Sequence, residues 1–576
     1  MPSQEVAMVS SRMVPKSIHQ TCKNCRTIFE ITKDDLAFYD KVSPVFGGRK
    51  YSIPPPTHCP DCRHQRRYAS RDERKLYHRR CDATGKDILS VYSADKPYKV
   101  YDYDVWWGDQ WDPLSYGRSV DFSRPFFEQF HELSVAVPKM QYSAFSNEHC
   151  PYMNRCAYCR NSYMCYDFSE SQDCYYCEVG FKLTDSLDCS YSKEMRRCSS
   201  CVDSVGCYNS TNLTACSHVS DSHFCFDCHS SESLLFCWNL HNVQYCIWNQ
   251  QLPREEFLRR RAEFELPNHS KRKRREQDFL ERKRKEALHR HAVLINCENC
   301  TGDHILESKN CTDCYDVFRG EDLMRVIAVD ANCKDSRDCN NAWNAELIYE
   351  TMSSTGLRNL FSLNVWECSD VLYSEFCKGS SHLFGCSGLH RKHYCILNKQ
   401  YTKEEYEELA PKLIAHMCKT SEWGEFFPIF HSPFCYNEAK VMELYPLSKE
   451  EVIAKRWRWR DEGDEIPKVS KVIPAERLPD SIDDIPDDIL NWAITCEATG
   501  RPFRIVRQEL ALYRRMKLPA PHFHPDERHR RRMALRNPRK LWSRKCDKCG
   551  KDVRTTYAPG RPETVYCEEC YLASVY

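Results

Sequence analysis

Glycine is scarce in this chain, 18 of 576 residues, and no glycine-rich stretch is spaced to cradle a phosphate. There is no H-E-x-x-H pair either, so nucleotide-loop and zincin-type chemistry are set aside and no catalytic constellation stands out. Long apolar runs are missing too. Nowhere do 18 apolar residues follow one another, and the first residues lack the charged-then-apolar order of a leader, which predicts a soluble cytoplasmic protein with no membrane partner. Net charge is nearly absent, at +1, and two filled four-cysteine zinc sites would move it only to about −3. Net charge therefore selects no partner, whereas its distribution does.

What the chain has in abundance is cysteine, 37 residues. In a short secreted protein this would read as a disulfide framework, but the count is odd and metal knuckles need free thiolates, so a reducing compartment fits better. At this length several domains are expected.

One stretch is made twice. Shifted by 465 residues and without a gap, Pro60, Asp61, Arg63, His64, Arg66, Arg67, Arg71, Arg74, Cys81, Gly85 and Tyr101 fall on Pro525, Asp526, Arg528, His529, Arg531, Arg532, Arg536, Arg539, Cys546, Gly550 and Tyr566. Upstream, after one change in loop length, Cys22, Phe29 and Tyr39 match Cys496, Phe503 and Tyr513. The first copy holds Cys22, Cys25, Cys59 and Cys62 where the second has Cys496, Thr499, His524 and Glu527. The second holds Cys546, Cys549, Cys567 and Cys570 where the first has Cys81, Thr84, Asp102 and Val105. Paired C-x2-C knuckles aim four thiolates tetrahedrally, so each copy is predicted to keep one structural zinc site, two Zn2+ per chain. Two further sets have knuckle-like spacing and are candidate ligands for up to two more ions: Cys297, Cys300, Cys311 and Cys314, and Cys156, Cys159, Cys174 and Cys177. Both are equally explained as cysteine stacked in a ladder.

The run Cys22-x2-Cys25, Phe29, Leu36-Ala37-Phe38-Tyr39 and His58-Cys59-x2-Cys62-Arg63 resembles the small bacterial "probable zinc-binding domain" family, a zinc ribbon, over about 50 residues. The resemblance implies a ribbon with its metal on those four cysteines. The whole chain is also similar to uncharacterised cysteine-rich zinc-ribbon proteins of candidate-phyla bacteria. Neither resemblance implies an activity.

Downstream of each ribbon motif lies a helix with a basic face, because arginines three and four apart share a side. Arg63, Arg66, Arg67 and Arg71 in the first copy, Arg528, Arg531 and Arg532 in the second, and the run Lys271, Arg272, Lys273, Arg274 and Arg275 are the expected phosphate contacts. A hairpin is predicted over 88–91 and 98–105, and a short docking helix around Phe126, Phe127 and Phe130.

Between the modules cysteine recurs every nine residues, at Cys156, Cys165 and Cys174, then from Cys189 to Cys225, and again at Cys368, Cys377, Cys386 and Cys395. Asp185-Ser186, Asp203-Ser204 and Asp221-Ser222 recur every eighteen. A fixed short period marks units that bury a face only by stacking on their neighbours. The expectation is a parallel β-solenoid with about eighteen residues per turn, made twice, since Cys237 to Glu256 repeats 149 residues later as Cys386 to Glu405. His241 and His390 share that repeat and read as packing or turn residues.

The expected architecture is multidomain and mainly β, with duplicated zinc-ribbon modules flanking two cysteine-rich parallel β-solenoids with short capping helices. It divides into an N-terminal module (20–140), a first solenoid (145–252), a basic helical segment (253–294), a second solenoid (295–400), capping helices (401–460), an acidic linker (461–490) and a C-terminal module (491–576). The leading functional expectation is a non-enzymatic, zinc-binding protein that holds nucleic acid, RNA or ribonucleoprotein ahead of DNA, through basic helices. The alternative is a protein-interaction scaffold on the solenoid face, and a distant third is a solenoid acyltransferase-like enzyme.

Overall fold

The computed structural model describes residues 17–461 and 469–576. The first residues, 1 to about 20, carry no sequence pattern and read as disordered; of these 1–16 lie outside the described residues, and the rest belong to the strand Ser17–Thr21, which pairs antiparallel with Ile28–Thr32. The fold is mainly β, with helices set among several sheets, and most strands of the three largest sheets run parallel.

Two long parallel ladders, at 144–251 and 294–400, occupy the centre. In the first, Asn154 pairs with Tyr166, Tyr166 with Glu178, and Glu178 with Ser190, so the chain returns beside itself every twelve residues. The expected eighteen-residue unit is not what pairs. Each twelve-residue turn has four sides of three residues, because every third residue from Ser146 to Trp248, Gly206 included, takes a positive φ. Left-handed backbone is costly outside glycine and persists only where its surroundings over-determine it. Here the ladder does so: the Tyr176 amide, for example, donates back to the Tyr163 carbonyl at 3.0 Å, and the Asn161 amide to the Glu148 carbonyl at 2.9 Å.

The residue after each left-handed position points inward. Cys156, Cys159, Ser162, Cys165, Phe168, Ser171, Cys174 and Cys177 follow at intervals of three, and all are buried. An inward thiol donates to the carbonyl two residues back, as Cys174 does to Gln172 at 3.2 Å. An inward serine also accepts from the amide one turn ahead, as Ser162 Oγ does from Cys174 at 3.2 Å and Ser222 Oγ from Leu234 at 2.8 Å. The nine-residue cysteine spacing is thus three sides of a four-sided turn. In the second ladder the register slips where Gly356 sits: Ser354 pairs with Val365, eleven on, and Gly356 with Cys368, twelve on. At φ +104° a side chain there would meet the Cys368 carbonyl oxygen at 2.1 Å, so only glycine fits.

Both ladders end alike. Asn249 accepts the Trp238 amide at 2.9 Å and Asn398 the Ser387 amide at 2.8 Å. An antiparallel strand and a helix follow, Arg254–Glu263 or Lys403–Lys419. Of the stripe that spacing predicts for the second helix, Tyr406, Leu413 and Met417 are buried and Leu409 is partly buried.

The modules cross over. The N-terminal module, next to the first ladder in sequence, packs on the second: Phe38 and Tyr39 lie 5.9 and 5.2 Å from Tyr349, and Phe126, on the helix Phe126–Ala136, lies 5.5 Å from Phe384. The C-terminal module shares a core with Tyr175, Tyr176 and Leu187 of the first ladder. Two local expectations are corrected. The hairpin forms from Tyr77–Arg80 and Asp87–Ser90, one strand earlier than expected, because Gly85 turns the chain at φ +71° between them. Of the acidic linker, 462–468 lies outside the described residues, and the rest belongs to the C-terminal module: Lys471–Pro474 pairs with Trp492–Thr495, and Ile473, Ile482, Ile485 and Ile489 are buried.

Candidate metal centres and the arginine helices

At the N-terminal knuckles the Cys22 amide donates to Thr27 and the Arg26 amide to the Cys22 carbonyl, a tight turn that points Cys22 and Cys25 the same way. Cys59 stands immediately before the helix Pro60–Tyr68, whose first turn carries Cys62. The four sulfurs lie within 4.8 Å of one another, with Cys25 and Cys59 3.6 Å apart. Cys546, Cys549, Cys567 and Cys570 repeat the arrangement, with Cys549 and Cys567 3.7 Å apart. Tetrahedral sulfurs at about 2.3 Å from a metal stand about 3.8 Å apart, so both sets fit a thiophilic ion such as zinc. Burial would raise the Cys22 thiol, but the amides of Cys25, Cys59 and Asn24 outweigh it and hold it at about 6. The amides of Cys567, Cys549 and Lys548 do the same for Cys546, also about 6. Each cluster therefore offers a thiolate at neutral pH, the form that binds metal.

The other candidate sets are not gathered in this way. With twelve residues to a turn, Cys174 stacks over Ser162 and Cys159 under Ser171, so Cys156, Cys159, Cys174 and Cys177 face different sides. Cys177 touches Cys174 of the set, but also Cys165 and Cys189, one turn below and one above, and the four do not converge. Cys297, Cys300, Cys311 and Cys314 do not converge either, although Cys311 touches both Cys300 and Cys314. Burial pushes Cys159 and Cys300 up to about 12. These are packing thiols, spaced by the ladder. Cys81 and Cys496, with their depleted partners, form no four-ligand group among the described residues; Thr84 donates to Asp102 at 3.1 Å, and Glu527 is held by Arg530 and Arg531.

The arginines stand elsewhere than expected. Arg63 meets Asp338 at 2.9 Å, and Arg67 meets Glu350 at 2.9 Å and Asn340 at 2.7 Å, all on the second ladder. Arg71 reaches Asp167 of the first ladder at 2.7 Å and Ser353 of the second at 2.9 Å. In the other module Arg528 and Arg532 both bind Asp188 of the first ladder at 3.1 Å. Arg536, the counterpart of Arg71, binds Asp203 of the first ladder at 2.9 Å and Asp316 of the second at 2.6 Å. Arg63, Arg67 and Arg71 are 1% exposed and Arg532 4%. Burial works against the charge of Arg63, but Asp338 and Glu350 outweigh it and raise its pKa above the ordinary value.

A guanidinium enclosed with its own carboxylate has no face left for a phosphate, so Arg63, Arg67, Arg71, Arg528 and Arg532 are internal ties. Arg66 is nearly enclosed and bound to Glu425 at 3.1 Å. Arg531 is half exposed, bound to Glu527 and laid over Phe523.

The third basic segment differs. On the helix His269–Glu286, Arg272, Arg275 and Arg282 lie over Phe224, Phe264 and Trp248, and Lys273 reaches Glu497, while Lys271, Arg274, Arg284 and Lys285 are exposed. His390 is sandwiched by Trp107, stacked at 4.5 Å, and His241 by Tyr576, so both are packing residues as expected. Sequence reasoning missed the acidic partners on the ladders. A signal existed: Asp203, one of the Asp-Ser positions that recur every eighteen residues, binds Arg536, and Asp185, another, binds Arg515.

No family model matches the chain, and no curated protein matches it. A solved structure, a "putative acetyltransferase" from Desulfovibrio desulfuricans G20, is similar at 8% identity over 46% of this chain and 70% of its own, with a TM-score of 0.11. At that score the likeness carries no argument. Among the described residues no helix is long and apolar enough to cross a membrane.

Proposed function

We propose that the protein is a non-enzymatic scaffold: two cysteine-laddered β-solenoids held as one rigid body by two zinc-ribbon modules with structural zinc, working in a reducing, cytoplasmic setting. The observation that carries this reading is the fate of the repeated arginines. Each module uses its arginine helix to bind ladder carboxylates, and Arg71 and Arg536 each touch both ladders. In the N-terminal module zinc would fix the knuckle from which the arginine helix Pro60–Tyr68 starts, so metal and arginine together act as a clasp, whereas in the C-terminal module the four cysteines lie downstream of the arginine helix Pro525–Met533 and would lock the fold beside it. A long face of regular twelve-residue turns is suited to protein partners.

Nucleic-acid binding is kept as a second reading, on the outward cations of the helix His269–Glu286 alone. A salt titration of zinc-replete protein against structured RNA and duplex DNA separates the two. The scaffold reading expects no measurable affinity at low salt. Binding lost on reversing Lys271, Arg274 and Arg284 to Glu would instead establish the second reading. Reversal of Arg67 or Arg532 is no probe of a ligand, since it sets a new carboxylate against Glu350 or Asp188.

A further inference from the structure

A second kind of ligand set forms between two segments remote in sequence. His269 opens the basic helix, and its amide donates to the Asp480 carbonyl at 2.9 Å while Ser270 Oγ donates to the Asp480 carboxylate at 2.8 Å. Glu497 and His522 belong to the C-terminal module, where the Glu497 amide donates to the His522 carbonyl at 3.0 Å. The imidazoles of His269 and His522 stack with centroids 3.5 Å apart and planes 6° apart. His522 Nδ1 lies 3.5 Å from Glu497 Oε2, and one ligand atom from each of the three residues lies within 4.8 Å of the others.

The place of this set within the repeat points to its origin. Glu497 occupies the position of Lys23 in the N-terminal copy, and His522 that of Thr57. The same backbone bond joins both pairs, from the Lys23 amide to the Thr57 carbonyl at 3.0 Å in one copy and from Glu497 to His522 in the other. The C-terminal copy lacks the four cysteines of this knuckle pair, yet carries a carboxylate and an imidazole one residue along from Cys496 and two residues before His524. The N-terminal copy, which keeps its four cysteines, has neither.

Two imidazole nitrogens and one carboxylate oxygen suit a borderline first-row dication, and three protein ligands leave a fourth position for water. Burial lowers both rings, His269 to about 4 with His522 contributing, so at neutral pH both are uncharged and carry a free lone pair. Neutral rings can stack as these do. The Lys273 ammonium, 2.6 Å from Glu497 Oε1, holds the carboxylate in the absence of a metal and would be displaced by one. We propose that His269, Glu497 and His522 form a third metal site, for a zinc-like dication, which staples the basic helix to the C-terminal module.

The test uses full-length protein with both four-cysteine clusters filled by zinc and Co2+ as the probe. One further equivalent is expected, with weak visible d–d absorption and without the strong near-ultraviolet charge transfer of thiolate ligation. Glu497→Gln and His522→Ala each weaken it at least tenfold, whereas Lys273→Met tightens it at least threefold, since the competing cation is gone. Should His522→Ala not fold, His269→Ala decides, because that side chain is only partly buried and lies at a helix start. Absence of a further equivalent, or one that all these variants leave unchanged, overturns the proposal. The outcome is independent of whether the protein binds RNA.

Discussion

Replacing Arg67 by methionine keeps most of the apolar stem and removes the guanidinium. Arg67 and Glu350 are both 1% exposed, and Arg67 also donates to Asn340. Taking one partner from a buried ion pair leaves the other charge without compensation, which costs about 3–5 kcal/mol. Arg63, 3.4 Å from the other Glu350 oxygen, softens the loss and places the expectation at about 3 kcal/mol. Because a chain of this size need not unfold in one step, the assay is native-state hydrogen exchange read on peptides covering 333–360. Arg531→Met is the control: its half-exposed pair is worth about 0–1 kcal/mol. The double variant Arg67→Met/Glu350→Met regains most of the loss, since no charge is left without a partner, Arg63 keeping Asp338. If Arg67→Met changes local stability by less than about 1 kcal/mol, or no more than Arg531→Met, the internal-tie reasoning fails.

Cys549→Ser, which alters an exposed member of the C-terminal cluster, is expected to remove one of the two zinc ions held by the four-cysteine clusters and to loosen 540–576 in hydrogen exchange while leaving 17–140 protected; elemental analysis checks the first part, as a loss of one equivalent relative to the unaltered protein. Gly356→Ala should lower the thermal midpoint by the equivalent of about 3 kcal/mol or more, because left-handed strain adds to a clash with the Cys368 carbonyl. Stability should fall in two stages as pH drops. Burial lowers His223 and His289, the latter to about 4, so the unfolded chain takes up protons first and stability declines below about pH 6.5. Glu425 is held at about 2 against its burial by His58 and Arg66, and Asp316 lies below the usual carboxylate range through Arg536 and Arg539, which adds a second loss as pH falls below about 4.5. Each fully buried group contributes at most about 1.4 kcal/mol per pH unit, and a thermal midpoint flat from pH 7.5 to 5 would contradict the first stage.

The parts of the fold legible in the sequence are those in which neighbours in the chain do the work. Cys22 with Cys25 and Cys546 with Cys549 announce themselves because a C-x2-C turn is local, and the structure gathers each set. The ladders were visible as cysteine spaced by nine, but the turn length was not. Cysteine fills only some of the inward positions, and Ser162, Phe168 and Ser171 fill others, so the three-residue period was hidden by a more conspicuous multiple of it. The left-handed residues gave no warning either, since Arg155, Tyr158 and Met164 take the same φ as Asn161 and Asp167. The arginine helices are legible in the sequence, but the carboxylates that meet them are not. Arg67 meets Glu350 across 283 residues of chain, and no local pattern distinguishes a basic face awaiting phosphate from one awaiting a carboxylate. The segment after 469 read as a linker because its prolines and aspartates outnumber the isoleucines that the fold buries.

The most direct test of the central claim, that the module arginines are internal ties, is arginine-specific labelling of native, zinc-replete protein with a dicarbonyl reagent, mapped residue by residue by peptide mass spectrometry. The account predicts that Arg63, Arg67, Arg71, Arg528 and Arg532 stay unlabelled until the protein is unfolded, while the outward Arg274 and Arg284 react at once. Labelling of the first group at the rate of the second would place those arginines at the surface and contradict it.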